Sequence, residues 1–512
     1  MSRYFLYILL MTGLSIPAKA QLFPLSSKPP FNSQLLAIAD TTVLISPESR
    51  RVIEWTTLDS NLTEISRNRI GLMDPGRNGI TDFLVMNNQV LYIEQVRNKK
   101  TRTVYLSKLD ASGGHAGTTR EISPGSILEQ RAYNDTAAFS LLLSGDRKYL
   151  LFYQFRSDKD SFSLSGFILN EMLEVVQTCY FSDSRLQDAD DFNLQSVEGS
   201  GRFYLFKYDY ESNYRMSTRL SAWQIDPAIS RTRSAQMFVR EFKLSNIRVS
   251  EWGDQVCLSA LSKTNINAQH EGIVVIRYNS DFSDKGSLYH FVLDEKTAKL
   301  VRKTLKPEVN TGIYEYFTVD QVQPEGKDRF RVWGSFFKPR LLITDEPLDT
   351  NVNTRYSIAR KGLWRDIPFR ESLPDAGNVA FMENQLRGDF PKKYTLIPVY
   401  DYVLVDAVAS NGILTPRDEE TALRNQASNY NYWVDSYFRT YQEGQPAYYT
   451  YERKNKLFGL DKNRTGETEK NLLQDKNHLL TLNYPLALHR NSLVCFYLDA
   501  REKKYGLIRI RL

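Results

Sequence analysis

Gly199-Ser200-Gly201-Arg202-Phe203-Tyr204-Leu205-Phe206-Lys207-Tyr208-Asp209-Tyr210 is the stretch on which the fold turns. Gly-Ser-Gly gives the backbone the freedom a tight turn needs. From Phe203 to Tyr210 the pattern has a period of two, the side-chain repeat of a β-strand. The same event occurs three more times. Asn87-Asn88 precedes VLYIEQV (90–96), Gly145-Asp146 precedes KYLLFYQF (148–155) and Gly253-Asp254 precedes QVCLSAL (255–261). These turns recur roughly every 55 residues. After each turn the order is strand, polar turn, second strand, short polar link, third strand. Residues 90–96, 103–109 and 118–122 show it, and so do 148–155, 164–169 and 174–181.

The 30 Tyr and 27 Phe suit pleated, half-buried surfaces. Runs such as Lys148–Tyr153 and Gly272–Ile276 are continuous enough to be covered on both faces. Units of several strands at this period are what propeller blades give. A small sheet has two faces and two open edges. Stacking sheets around an axis buries the faces, and closing the ring protects the edges. The expectation is an all-β protein, a β-propeller of about seven blades over residues 21–512. Stacked β-sandwiches are the alternative, because closely spaced turns suit them as well. The long period is the feature a sandwich explains less well.

The units SGDRKYLLFYQF, GSGRFYLFKYDY and WGDQVCLSAL, within residues 33–340, resemble the exported β-propeller-like proteins of Gram-negative bacteria. The resemblance is one of pattern. There is no Trp-Asp blade ending, no Kelch-type double glycine and no Asp-box, so it implies a fold and carries over no functional residue.

Residues 415–442 break the strand pattern and predict one long helical insertion. Thr415 suits an N-cap, Pro416 the first helical position, and Asp418 a capping-box-like partner. Leu423, Ala427, Tyr430, Val434, Tyr437 and Tyr441 then recur at helical spacing, until Gly444 and Pro446 stop the pattern. Residues 493–498 and 505–512 read as strands again. In a propeller they are expected to share a blade with the chain start near 33–45.

The first twenty residues have the form of a secretory signal peptide. Arg3 precedes an apolar stretch, Phe5–Ile16, and Ala18-Lys19-Ala20 gives the small-residue cleavage pattern. The stretch is shorter than the roughly 20 residues a spanning helix needs, which argues against an uncleaved anchor. No later segment reaches 18 consecutive apolar residues. The mean hydropathy of −0.43 agrees with a soluble product. The expected location is periplasmic or extracellular, with no transmembrane span.

The net charge of +6 arises from 66 basic and 60 acidic residues that are interspersed. A nucleic-acid binder concentrates its charge on a patch or stripe. The densest basic tracts, Lys99–Arg102 and Lys503-Lys504, fall between strand-like runs and read as hairpin tips, so no nucleic-acid partner is expected. Cys179, Cys257 and Cys495 each sit in an apolar run. They read as buried core residues, with one disulfide plus a free thiol as the alternative. No C-x-x-C exists to support a zinc or thioredoxin-type centre.

Catalytic motifs are sparse. There is no G-x-S-x-G elbow and no H-E-x-x-H. The five histidines are His115, His270, His290, His478 and His489; His115, His270 and His478 lie in polar segments that read as loops. A Ser/His/Asp set assembled from distant loops needs only to meet in space. Asp461–Glu469 copies the front of an EF-hand loop, but Leu472 stands where the bidentate Glu belongs, so a polar turn is the plainer reading. Asp188-Ala189-Asp190-Asp191 reads as a solvated turn between blades. The aromatic cluster Tyr430–Tyr451, with Tyr432, Trp433 and Phe438 left on the flanks of the expected helix, suits packing first and a sugar or protein platform second. N-x-[ST] sites at Asn61, Asn134 and Asn463 occur at a chance-level count.

No catalytic residue, metal ligand, ligand-binding residue or cofactor is therefore assigned. The leading expectation is a monomeric, non-catalytic exported binding or scaffold protein that holds a protein or glycan partner on one propeller rim. The alternative is a carbohydrate-active enzyme, a glycoside hydrolase or lyase, with its site in the propeller funnel. Fold alone does not decide between them.

Overall fold

The computed structural model describes residues 21–25, 33–49, 52–71, 80–98, 101–128, 134, 137–158, 161–183, 192–210, 217–239, 242–264, 269–305, 312–344, 363–366, 395–416, 424–429, 437–442, 445–452, 456–460, 478–481, 487–489, 492–499 and 504–511. The signal-peptide reading of residues 1–20 lies outside them. Within them the protein is all-β, with a single α-helix, α1 (Glu295–Leu305).

Four separate four-stranded antiparallel sheets follow one another along the chain: sheet 1 (34–71), sheet 2 (80–122), sheet 3 (140–183) and sheet 4 (192–238). In each, the strands pair in sequence order, as a meander. The turn that marks each repeat joins the first strand to the second. Asn87 and Asn88 both take positive φ, 45° and 58°, the two-residue hairpin turn that asparagine tolerates. Gly199 (75°) serves sheet 4, and Gly253 (59°) the next hairpin along the chain, with the same positive φ. The sequence pattern shows three strands per unit; the fourth is the short strand before the turn.

Each sheet is buried on both faces, and the period of two sorts its side chains between two neighbours. On sheet 1, Val43, Ile45 and Trp55 pack with Phe83, Val90 and Tyr92 of sheet 2. Leu91, Ile93, Val104 and Leu106 face the other way, onto Leu150, Phe152 and Phe167 of sheet 3. Leu151, Leu164 and Ile168 then meet Phe203, Leu205 and Ile225 of sheet 4. Tyr204, Phe206 and Leu220 meet Val256, Leu258 and Val274 of the next sheet. Leu150, Leu151 and Phe152 are all fully buried, which explains why that run shows no polar alternation.

The turns also touch in succession. The Asn87 N–H donates to Arg147 O (3.1 Å), and Asp146 N–H donates to Ser200 O (3.0 Å). Gly145 is needed at that contact: a Cβ there would stand 1.7 Å from Val197 O. Side-chain amides tie neighbouring sheets elsewhere. Gln95 Nε2 donates to Phe139 O (2.9 Å) and its Oε1 accepts from Phe139 N–H (2.8 Å).

Sheet 5 (243–293) has the same meander, but its last strand continues into the strands of sheet 6, making one ten-stranded sheet. Val292 and Leu293 pair in parallel with Ile413 and Leu414. Sheet 6 is built on two sixteen-residue strands, Arg329–Thr344 and Thr395–Ser410, with Phe317–Pro324 as its first strand. Cys257, Ile273, Val275 and Phe291 of sheet 5 pack on Phe317, Val332, Phe336 and Ala407 of sheet 6, and Val301 of α1 joins that core. Asp294 caps α1, accepting from Thr297 N–H at 2.9 Å.

The helix predicted over 415–442 is not what the structure shows. Ile413–Pro416, Arg424–Asn429 and Tyr437–Gln442 are strands; 417–423 and 430–436 lie outside the described residues. Thr415-Pro416 ends a hairpin strand paired to Ala407 and Val408, and Arg424–Asn429 adds to the edge of the long strand at 400–404. An available sheet edge outweighs helical spacing in polar, aromatic segments, which carry only weak helix propensity.

The terminal sheet holds the first and last described strands of the chain. Gln21–Pro24 pairs with 506–509, followed by Ser492–Asp499 and His478–Thr481. The expected sharing of a blade by first and last strands is present, but the strand that does it is 21–24 rather than 33–45. Val494, Phe496 and Leu507 of this sheet pack on Leu35, Leu44 and Leu58 of sheet 1. The terminal sheet and sheets 1 to 6 are thus packed face to face in one propeller-like succession.

Candidate functional site

Two polar clusters occupy opposite ends of sheet 5 where it meets sheet 6. The first lies at the turn end. Trp252, Asp254, Gln255, Arg277, Pro324, Gly326 and Lys327 line a cavity of about 440 Å³. Trp252 and Gln255 flank the turn between the first two strands of sheet 5; Gly326 and Lys327 form the matching turn of sheet 6. The Trp252 indole N–H donates to Val322 O (2.8 Å), and its ring stacks near Trp333 with centroids 6.4 Å apart. Arg331 lies over Trp333 at 4.4 Å. Arg277 donates to Gly326 O (2.9 Å) and lies 5.7 Å from the centroid of the Tyr289 ring. These contacts hold the aromatic and cationic walls in place. Among the described residues, Gln255 Oε1 is buried without a hydrogen-bond partner.

The second cluster lies at the other end of the strands. Ser245 stands at the start of the first strand, Lys263 at the end of the second, His270 in the link to the third, and Glu315 in a 3-10 turn that leads into sheet 6. Ser245 Oγ is 2.5 Å from His270 Nε2. His270 Nδ1 is 2.9 Å from Glu315 Oε2, off the axis of the ring N–H, so that contact acts through charge more than direction. Glu315 Oε1 accepts from the His270 backbone N–H (2.8 Å) and lies 3.6 Å from Lys263 Nζ. Burial alone would push the Glu315 carboxyl up. The close contact with the His270 ring, the hydrogen bond from the His270 backbone N–H and the charge of Lys263 outweigh it and hold the carboxyl at about 2. Just after Ser245 the ladder bulges: Ser245 pairs with Leu261, the next pair is Arg248 with Ser259, and Asn246 takes φ 54°.

A third cluster is a clamp between sheets 4 and 5. Arg202 Nε is 3.0 Å from Asp226 Oδ2, its other nitrogen is 3.4 Å from Glu251 Oε1, and the Tyr204 hydroxyl donates to the same Glu251 oxygen.

The remaining histidines have structural settings. His290 Nε2 lies 3.1 Å from Ser262 Oγ against the Phe242 ring, and burial pushes its pKa down. His489 bridges the terminal sheet to sheet 1, with Nε2 2.9 Å from Thr42 Oγ1 and Nδ1 3.0 Å from Ala39 O; burial lowers its pKa too. His115 lies in the loop after Leu109, with which it forms an isolated bridge. His478 opens a strand, not a loop. Cys179, Cys257 and Cys495 are buried without a disulfide, and burial pushes each thiol up to about 12. Arg102 does not end as a solvated hairpin tip: it is buried and donates to Gln95 O (3.2 Å). Asp188–Asp191 and Asp461–Glu469 lie outside the described residues, as do Tyr432 and Trp433; 437–442 and 445–452 are strands.

The groove and the Ser245 cluster are both absent from the sequence reading, because each is assembled by neighbouring sheets. His270 was visible as a looped histidine; its partners were not.

No family model matches the chain, and no curated protein matches it in sequence. Among solved structures, the chain is similar to the WD40 domain of SCAP from fission yeast, at 9% identity and a TM-score of 0.36, covering 96% of this chain and 98% of that one. It is also similar to a mutant of the apocarotenoid oxygenase of Synechocystis, at 12% identity and a TM-score of 0.27, covering 66% and 72%. The cobalt-substituted form of that oxygenase gives the same figures. At these scores the likeness carries no weight for function.

Proposed function

We propose that this is an exported binding protein, a closed ring of seven sheets that holds a glycan in the groove between sheets 5 and 6. In that ring the terminal sheet is the seventh blade and meets sheet 6 on its other face. The observation that carries the binding reading is Gln255 Oε1, a buried acceptor left over at the wall of a groove that also offers an indole, two cations and a carboxylate. A sugar ring has an apolar face for an aromatic and hydroxyls that both donate and accept. A hydroxyl reaching Gln255 would complete its hydrogen bonding, with Arg277, Lys327 and Asp254 fixing orientation.

The test is a glycan array followed by calorimetry on the strongest hit. Lys327→Ala with Asp254→Ala, both at exposed positions, should weaken binding about tenfold or more while leaving the melting temperature unchanged. Glycans that bind neither form, or both equally, would remove the proposal.

A second reading, a carbohydrate-active enzyme working in the funnel, draws on Asp82. It lies on the first strand of sheet 2, and burial raises its carboxyl pKa, as a general acid requires. Polysaccharide digestion by the protein, lost in Asp82→Asn, would favour that reading over simple binding.

A further inference from the structure

We propose that Ser245, His270 and Glu315 form a second site, a serine-hydrolase centre for short carboxylic esters, at the end of sheet 5 opposite the groove. It does not rest on the glycan reading. Ser245 and Trp252 share one strand, and seven residues of extended chain separate the two sites by roughly 20 Å.

Two features support the assignment. The first is geometric: a serine hydroxyl within hydrogen-bond reach of an imidazole, whose far nitrogen faces a carboxylate, is the arrangement that activates a weak nucleophile. A neutral tautomer with its proton on Nδ1, the nitrogen beside the Glu315 carboxylate, leaves Nε2 to accept from Ser245. The second is the bulge at Asn246, directly after the Ser245–Leu261 pair, an irregularity of the kind found beside reactive groups. The His270 side chain is 10% exposed, so the site is only narrowly open to solvent.

The chemistry balances with water as the only co-reactant. Ser245 Oγ attacks the ester carbonyl carbon while its proton passes to His270 Nε2. The carbon–oxygen bond to the leaving alcohol breaks, and the alcohol takes that proton. Water, deprotonated by His270, then attacks the acyl-serine, releases the carboxylic acid and restores the Ser245 hydroxyl. Ser245 and His270 are the catalytic residues of this step; Glu315 is a positioning residue acting through His270.

The test uses the full chain, a fluorophosphonate probe and p-nitrophenyl acetate. The expected result is a single adduct on the peptide holding Ser245, nitrophenolate release, loss of both in Ser245→Ala, and labelling slowed roughly 100-fold or more in His270→Gln. Glu315→Ala should lower kcat with little change in KM, and Glu315→Asp should restore part of it, a split that a purely structural role would not give. Folded protein whose Ser245 peptide stays unmodified overturns the proposal, as does an adduct on another residue or an unchanged rate in His270→Gln. If a variant fails to fold, the adduct on the unaltered protein decides alone.

Discussion

Sheets 1 to 4 and the pair formed by sheets 5 and 6 solve one problem in two ways. Sheets 1 to 4 meet through side chains, helped by single turn-to-turn hydrogen bonds such as Asn87 to Arg147. Among the described residues no backbone ladder runs between them. Sheets 5 and 6 share a ladder: the fourth strand of one hydrogen-bonds in parallel to Ile413 and Leu414 of the other, and α1 packs into the same core. Side-chain packing leaves each sheet its own edges, which short strands must protect. The shared ladder removes an edge and fixes the position of sheet 6 relative to sheet 5. Both polar clusters with chemical potential sit at that fixed junction. A site assembled from two sheets needs them held to within a fraction of an ångström.

The comparison can be broken from either side. The largest effect should come from Trp55→Ala, which empties the fully buried ring between sheets 1 and 2 and leaves Ala111 O without its indole donor. It should cost about 4 kcal/mol in urea unfolding. Hydrogen exchange in 272–293 should stay unchanged, because that seam is held independently; a uniform loss of protection would mean the two regions are one unit. Gly145→Ala should cost about 3 kcal/mol, since the added carbon meets the backbone of the next sheet's turn and not a movable side chain. Gly412→Ala, at the turn that feeds the parallel seam with φ 76°, should cost about 1 kcal/mol and raise exchange selectively at Val292 and Asp294.

Acid should separate the regions further. His489, between the terminal sheet and sheet 1, has a folded pKa below its ordinary 6.5. The unfolded chain takes up that proton first, so its contribution is intact above 6.5 and is lost as pH falls toward the folded value. Glu315, at the junction of sheets 5 and 6, is depressed from 4.5 to about 2, so its contribution is intact above 4.5 and is lost as pH falls through 2. Stability measured against pH should therefore fall first through His489 and later through Glu315. His489→Gln should reduce the earlier decline, to which the buried His290 also contributes, and Glu315→Gln should reduce the later one. The smallest effect is a check on the cores: a thiol reagent should modify no cysteine in the folded protein and three in urea.

Much of the strand layout was legible because it depends on local pattern. Phe203–Tyr210 reads as a strand and is one, and the units at 90–109 and 148–181 reappear with ends moved by a few residues. The turn signals at 87–88, 145–146, 199–201 and 253–254 mark the same joint in four sheets. The helix was sought in the wrong place. Asp294, Ala298 and Val301 carry a capped, amphipathic signal, while the helical spacing after Leu423 falls partly on Arg424–Asn429 and Tyr437–Gln442, which are strands. The sites were not legible, since Ser245, His270 and Glu315 span seventy residues of chain and meet only after two sheets have stacked.

The strand at Gln21–Pro24 has a kinetic consequence. Its partner lies nearly five hundred residues later, so this contact is about as non-local as a chain of this length permits, and it forms late. Until then the penultimate ladder stays open along one side, a waiting template for a stray strand. Because Gln21 and Arg509 end up side by side, a circular permutant that joins the ends and is cut in the link between sheets 3 and 4 should refold sooner than the parent, with that contact made local.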